Sequence, residues 1–312
     1  MPQEQVLMSL TLRVLMVLTL ITNLSAQNKI CEVVHKDIDE QSAIIKSQTY
    51  DNVYWVCNDS GSEPFLFPLT SRGEMIAPDF MKKRFSGKKL DEYPGIKVKS
   101  ASLIDWEALA LLGDTLVIGD VGNNGNTRRD MGVYLIPEPN PRATYETRPL
   151  IWLPVSFEDQ SNYPATEWEF DCEAMFTFQG KIYFLTKHRA DRHIRKPAAA
   201  TKLYRMDTRF TNRVNVLKLI NRKEDLGGWV TDASMAPDES AMVMLAQNPL
   251  ATIIWYFPKP KRGDDFLAQT PRTYSLVKAD QAEGICFKDS KTIIVSNEQR
   301  EWFEIPLKAF SK

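Results

Sequence analysis

The sequence predicts an all-β chain: a β-propeller of five four-stranded blades, with room for a sixth in the insertions. Three observations carry that reading. Short runs rich in Val, Ile, Tyr, Phe and Trp recur along the chain, bounded by Gly, Asn, Asp or Pro, and helical periodicity is scarce. One grammar returns five times: acidic residues, an apolar strand, a short turn, a second apolar strand, a polar loop and a third strand. The interval inside the units is nearly constant. Asp120 follows Glu107 at the interval at which Thr186 follows Glu173 and Gln247 follows Ser234, and Asn297 follows Glu283 by one residue more.

Taken in order, the chain opens on Val14-Leu15-Met16-Val17-Leu18-Thr19-Leu20-Ile21, then Asn23-Leu24-Ser25-Ala26. Residues 1–26 read as a secretory signal peptide cleaved near Ala26, although Glu4 is atypical of its leading region. The apolar run is shorter than the ~20 residues a spanning helix needs. The expectation is therefore a secreted or periplasmic, monomeric chain in which residues 27–312 form one propeller domain without a membrane span. Cys31-Glu32-Val33-Val34-His35 alternates like a lone strand, and residues 30–36 can complete the last unit by joining the two chain ends.

The first unit holds Glu40-Gln41-Ser42-Ala43-Ile44-Ile45, Val53-Tyr54-Trp55-Val56-Cys57, the loop Asn58-Asp59-Ser60-Gly61, and Phe65–Leu69. Residues 78–94, with Lys82-Lys83-Arg84 and Lys88-Lys89, read as a solvated insertion. The second unit is Asp105-Trp106-Glu107, Leu116–Asp120, Gly122-Asn123-Asn124 and Gly132–Ile136. The third is Asp171-Cys172-Glu173-Ala174-Met175, Ile182–Lys187 and Lys202–Met206. The fourth is Thr231–Met235, Met242–Asn248 and Ile253–Phe257, and the fifth Ala282–Cys286, Ile293–Asn297 and Trp302–Pro306. Glu40, Glu107, Glu173, Ser234 and Glu283 are aligned as equivalent unit starts. Leu150–Leu153 and Val214–Leu217 suit fourth strands, and Trp55, Trp152 and Trp255 suit packing between blades.

Composition excludes some classes. With 25% charged residues and a net charge of -1, the chain lacks the basic excess that nucleic-acid binding requires. Four cysteines permit disulfides in an exported chain, yet Cys57, Cys172 and Cys286 lie in apolar strand runs, as buried free thiols do. His188 and His193 lack the spacing of a zinc pair, and Gly119–Gly125 runs from strand to strand rather than into a helix, unlike a nucleotide-binding loop.

In a propeller, first strands begin on the face where second strands end. Glu40, Asp105, Glu107, Asp171, Glu173, Asp232 and Glu283 should therefore share one rim with Asn58, Asp59, Asp120, Asn123, Asn124, Thr186, Lys187, Gln247, Asn248, Asn297 and Glu298. Crowded carboxylates raise each other's pKa. Relief comes from a hard cation taking oxygen ligands, from Arg128, Arg129, Lys187 or Arg189, or from backbone amides bridging adjacent blades. Asp59, Asp105, Glu107, Asp120, Asn123, Asp171, Glu173, Glu283 and Asn297 are the candidate metal ligands, and their oxygen and amide donors suit Ca²⁺ rather than zinc.

Glu40-x-Ser42, Asn58-Asp59-Ser60-Gly61, Asp105-Trp106-Glu107, Gly119-Asp120-x-Gly122-Asn123-Asn124, Arg128, Glu138-Pro139, Tyr163-Pro164, Asp171-x-Glu173-Ala174-Met175 and Thr186-Lys187 resemble, in that order, a bacterial family of exported propeller proteins. More distantly the chain is similar to phytase-like and esterase-like propellers, whose resemblance implies an acidic, calcium-lined channel and hydrolysis of phosphate or carboxylic esters. Ala165-Thr166-Glu167 stands where the family has Asp-Gly, and Ser234 breaks the run of glutamates. Two functions follow as expectations. In the first, a Ca²⁺-dependent hydrolase of a small-molecule ester uses Asp105, Glu107, Asp120 and Glu173 as ligands or base and Lys187 and Arg128 to neutralise developing charge. In the second, a non-catalytic module uses the same rim to hold an extracellular glycan, peptide or protein.

Overall fold

The structure is a computed structural model that describes residues 28–277 and 279–311. The expected leader, residues 1–26, lies outside the described residues. No helix among the described residues is long and apolar enough to cross a membrane.

The fold is all-β and propeller-like. After β1 (Asn28–Glu32), the first unit is β2 (Gln41–Lys46), β3 (Tyr54–Asn58), β4 (Phe65–Leu69) and β5 (Ile96–Val98). The second is β6 (Trp106–Leu112), β7 (Thr115–Asp120) and β8 (Gly132–Pro137), then β9 (Glu146–Thr147), which leaves the unit to pair with β5, and β10 (Ile151–Phe157), which returns to β8. The third is β11 (Trp168–Phe178), β12 (Lys181–Arg189), β13 (Pro197–Ala198), β14 (Thr201–Met206) and β15 (Asn215–Lys223). The fourth is β16 (Trp229–Met235), β17 (Ala241–Gln247), β18 (Thr252–Pro258) and β19 (Arg272–Leu276). The fifth is β20 (Ala282–Asp289), β21 (Thr292–Asn297) and β22 (Glu301–Pro306), and β1 pairs antiparallel with β22 as its fourth strand.

The chain ends are thus joined in one sheet, by residues 28–32 rather than the expected 30–36. The outer strands β10 and β15 also pair, in parallel, across the second and third units.

The first strands β2, β6, β11, β16 and β20 touch one another in cyclic order. The apolar core divides the same way. One buried cluster joins Trp55 and Leu66 to Trp106 and Ile118, and another joins Val117 and Leu153 to Cys172 and Phe184. A third joins Phe176 to Met244 and Phe257, a fourth Leu245 and Tyr274 to Ile285 and Phe303, and a fifth Tyr54 and Phe67 to Cys286 and Trp302. Each unit buries both faces against its neighbours, which explains why its strands read as continuous apolar runs rather than alternating ones. The inter-unit aromatics follow suit: Trp55 is fully buried and its indole Nε1 donates to Glu138 Oε1 of the second unit at 2.7 Å. All four cysteines are free thiols, and Cys57, Cys172 and Cys286 are buried.

Candidate functional site

A β-bulge at one level of each first strand builds the site. Register slips by one residue at Ser42 in β2, Glu107 in β6, Glu173 in β11, Thr231 in β16 and Glu283 in β20. A bulge leaves one residue unpaired and re-aims its side chain. The structural equivalents are therefore Ser42, Glu107, Glu173, Thr231 and Glu283. This corrects the sequence alignment, which set Glu40 and Ser234 in the first and fourth places. Glu40 lies before β2, and Ser234 pairs regularly with Val243 well inside β16, lining a separate cavity with Met235 and Pro237.

The two hydroxyls and the three glutamates divide the work. Ser42 Oγ donates to Trp106 O at 2.7 Å, and Thr231 Oγ1 donates to Ala282 O at 2.7 Å. Each hydroxyl thus ties its strand to the residue just before the next unit's bulge. Glu107, Glu173 and Glu283 instead face a cavity of about 100 Å³, together with Glu40, Gln41, Ser42, Asp59, Asn124, Lys187 and Glu298. Six carboxylates surround it and Lys187 is the one cation in its lining.

Lys187 Nζ lies 3.1 Å from Glu173 Oε2 and 5.3 Å above the Trp229 ring. Glu173 Oε1 is buried with no partner among the described residues. Burial pushes Glu107 and Glu173 well above the usual carboxylate range; Glu173 and Asp105 add to the rise at Glu107, while Lys187 opposes it at Glu173. Burial raises Glu283 to about 7, with the Glu298 charge adding to the effect, and raises Asp59 to about 7, with Glu40 beside it. Burial and then the charge of Asp171 bring Asp105 to about 6. Burial works to lower the Lys187 pKa, but Glu173, Glu283 and Asp171 outweigh it and hold the ammonium charged.

Other predicted residues sit just behind this lining as a brace. Asp120 Oδ1 accepts from Arg128 Nη2 at 2.8 Å and from the Asp105 amide at 3.1 Å. Arg128 also donates to Gly122 O at 2.8 Å and to Asp130, so its fork is committed to the loop and does not reach the cavity. Asn123 Oδ1 caps the amides of Thr127 and Arg128, while its Nδ2 donates to Phe170 O.

Asp171 accepts from the Asn123 amide and pairs with Arg189. Burial works to raise its pKa, but the Arg189 and Lys187 charges outweigh it and hold the carboxyl below its ordinary range. Asp232 accepts the amides of Ala233 and Ile285 at 2.8 and 2.7 Å. Asn297 donates to Ala279 O and caps the Glu301 amide. These are the backbone bridges that buried polar groups of a sheet ring provide.

Of the predicted ligands and catalytic groups, the structure therefore brings Asp59, Glu107, Glu173, Lys187 and Glu283 to the cavity. It assigns Asp120, Asn123, Asp171, Asn297 and Arg128 to bracing, and Asp105 stands between the two sets. Sequence reasoning gave no role to Gln41 or Thr231 and met Ser42 only as part of the Glu40-x-Ser42 motif, because an isolated hydroxyl or amide does not reveal its partner.

The donors around the cavity are hard oxygens of the kind Ca²⁺ takes. Among the described residues, however, no group of three or more His, Cys, Asp and Glu side chains is spaced to hold a metal ion. The lining offers negative charge to a cation without a preformed coordination shell.

No family model matches the chain, and no curated protein matches it. Among solved structures it is similar to the Dos1 propeller, at 9% identity and a TM-score of 0.39, over 82% of this chain and 52% of that one. The chain thus spans about half the length of that neighbour. A chain in a crystal structure of the mitotic checkpoint complex matches at 7% identity and a TM-score of 0.40, over 86% of this chain and 74% of that one.

Proposed function

We propose that this chain is a five-bladed, single-domain propeller that works as a non-catalytic binding module, taking a basic group of a peptide or protein partner into the acidic mouth of its channel. The observation that carries the reading is the imbalance at the cavity, six carboxylates against one ammonium. A partner's lysine or arginine would offset like-charge repulsion that Lys187 alone leaves in place. The cavity of about 100 Å³ has room for a small ionic group with a few waters, since roughly 10–15 Å³ of such space admits one water. The apolar leader favours a secreted or periplasmic setting, with an extracellular ligand.

One observation favours a second reading, ester hydrolysis with Ca²⁺. Asp59 and Glu283, both near 7, line one cavity with Lys187 and are poised to exchange protons at neutral pH. One experiment separates the two. Purified protein is titrated with a lysine-rich hexapeptide and its fully acetylated form, and separately incubated with p-nitrophenyl phosphate and p-nitrophenyl acetate, with and without Ca²⁺. Binding of the charged peptide alone, without turnover, supports the module. Calcium-dependent turnover abolished by Glu107→Gln supports the hydrolase, and neither result removes the rim as a functional surface.

A further inference from the structure

Another cavity shares no lining residue with the acidic mouth. The insertion carries two 3-10 turns, Asp79–Met81 and Gly87–Glu92, and its Met81, Phe85 and Tyr93 line one cavity with Phe65 and with Lys97 of β5. This cavity is a chamber of about 640 Å³, within the roughly 300–1,000 Å³ typical of small-molecule sites. Phe65, Met81, Phe85, Tyr93, Pro94 and Tyr145 form its apolar lining. Backbone approaches closely at its wall: Gly95, at φ +89°, leaves no room for a Cβ, which would fall 2.7 Å from Leu66 O. The sequence reading of this insertion as a wholly solvated basic face therefore accounts only for its outer side.

The chamber's polar groups point to the chemistry of its occupant. Arg84, Lys89 and Lys97 stand on its lining, Arg84 with Cζ 5.1 Å from the Phe85 ring and Lys97 with Nζ 5.6 Å from the Phe65 ring. Cations placed over aromatic faces sit where an anionic head meets an apolar body. Lys97 is paired with Glu63, and the lining Glu146 is paired with Lys99, each at 2.5 Å. Arg84 and Lys89 have no ion pair among the described residues, and they face one lining carboxylate, Glu92, that is likewise unpaired. Tyr93 belongs to the buried cluster of Tyr54 and Phe67, and its hydroxyl is closed off from solvent and so from the chamber.

We propose that this chamber binds a small apolar molecule ending in a carboxylate, its body against Phe65, Phe85 and Tyr145 and its head near Arg84 and Lys89. This site is independent of the acidic mouth and of any activity there. The test is calorimetric titration of the full chain with decanoate, decanol and decylammonium below their aggregation thresholds. The expected result is saturable, one-site binding of decanoate, about tenfold or more weaker for decanol, and none for decylammonium.

Arg84→Gln, an exposed change that leaves the fold alone, should weaken decanoate about tenfold and leave decanol unchanged. No saturable decanoate binding, or decanoate and decanol bound alike and insensitive to Arg84→Gln, overturns the proposal.

Discussion

Lys187 is the residue on which the acidic mouth turns. Its side chain is largely buried, touching Glu173 and lying over Trp229, and three neighbouring carboxylates keep it charged. Removing one member of a buried charge cluster leaves the others uncompensated. Lys187→Met should therefore destabilise the chain by about 3 kcal/mol at pH 8, read by urea denaturation. At pH 5 the loss should shrink, because the glutamates take up protons instead.

Glu283 gives a complementary expectation. Its folded pKa is raised to about 7, so between about 4.5 and 7 the folded chain binds a proton that the unfolded chain releases. Its contribution is present at low pH and is lost as pH rises through 7. Glu283→Gln should consequently gain stability relative to wild type as pH rises from 5 to 8. Only the difference isolates this group, because buried His188, lowered to about 3, acts in the opposite sense between 6.5 and 3. A Glu283→Gln difference that is flat with pH would contradict the assignment.

At the scale of elements, the bulge in each first strand is the device that separates lining from brace. Two-for-one pairing turns Glu107, Glu173 and Glu283 toward the channel, while the residues two before Glu107 and Glu173, Asp105 and Asp171, meet the loop after β7. That loop approaches very closely at Gly122, where a Cβ would fall 2.4 Å from Asp105 Cγ and 2.8 Å from Glu107 Cγ. Gly122→Ala should thus displace the acidic pair and cost roughly 1–3 kcal/mol, measured by thermal or chemical denaturation. An unchanged stability would show that the loop gives way freely.

The sequence made this level partly legible. Glu107, Glu173 and Glu283 stood out because each precedes an apolar run whose second strand ends in a polar residue at nearly the same interval. Ser42 and Thr231 did not, because their work is a hydroxyl-to-carbonyl bond to the next unit, visible only once strands are adjacent. Asp120 and Asn123 read as ligands because a polar loop beside a carboxylate pair looks the same whether it binds a cation or caps amides.

For the whole molecule, ring order and end-to-end pairing were legible because they depend on repetition, on a lone strand before the first unit and on a last unit one strand short. Cross-unit contacts between distant outer strands, β5 with β9 and β10 with β15, were not, since a two-residue strand or a parallel edge leaves no periodic trace. The same repetition concentrates charge. The chain as a whole is nearly neutral, at -1, yet six carboxylates converge on one cavity because first-strand starts and second-strand ends share one rim.

That convergence is the central claim, and its most direct test is the affinity of a lysine-rich hexapeptide for the wild type and for the Glu107→Gln/Glu283→Gln double variant at pH 7.5 and two salt concentrations. The account predicts one-site binding that weakens with salt and falls about tenfold or more in the double variant, whose fold persists. Equal affinity in the two proteins, or no binding to either, would contradict it.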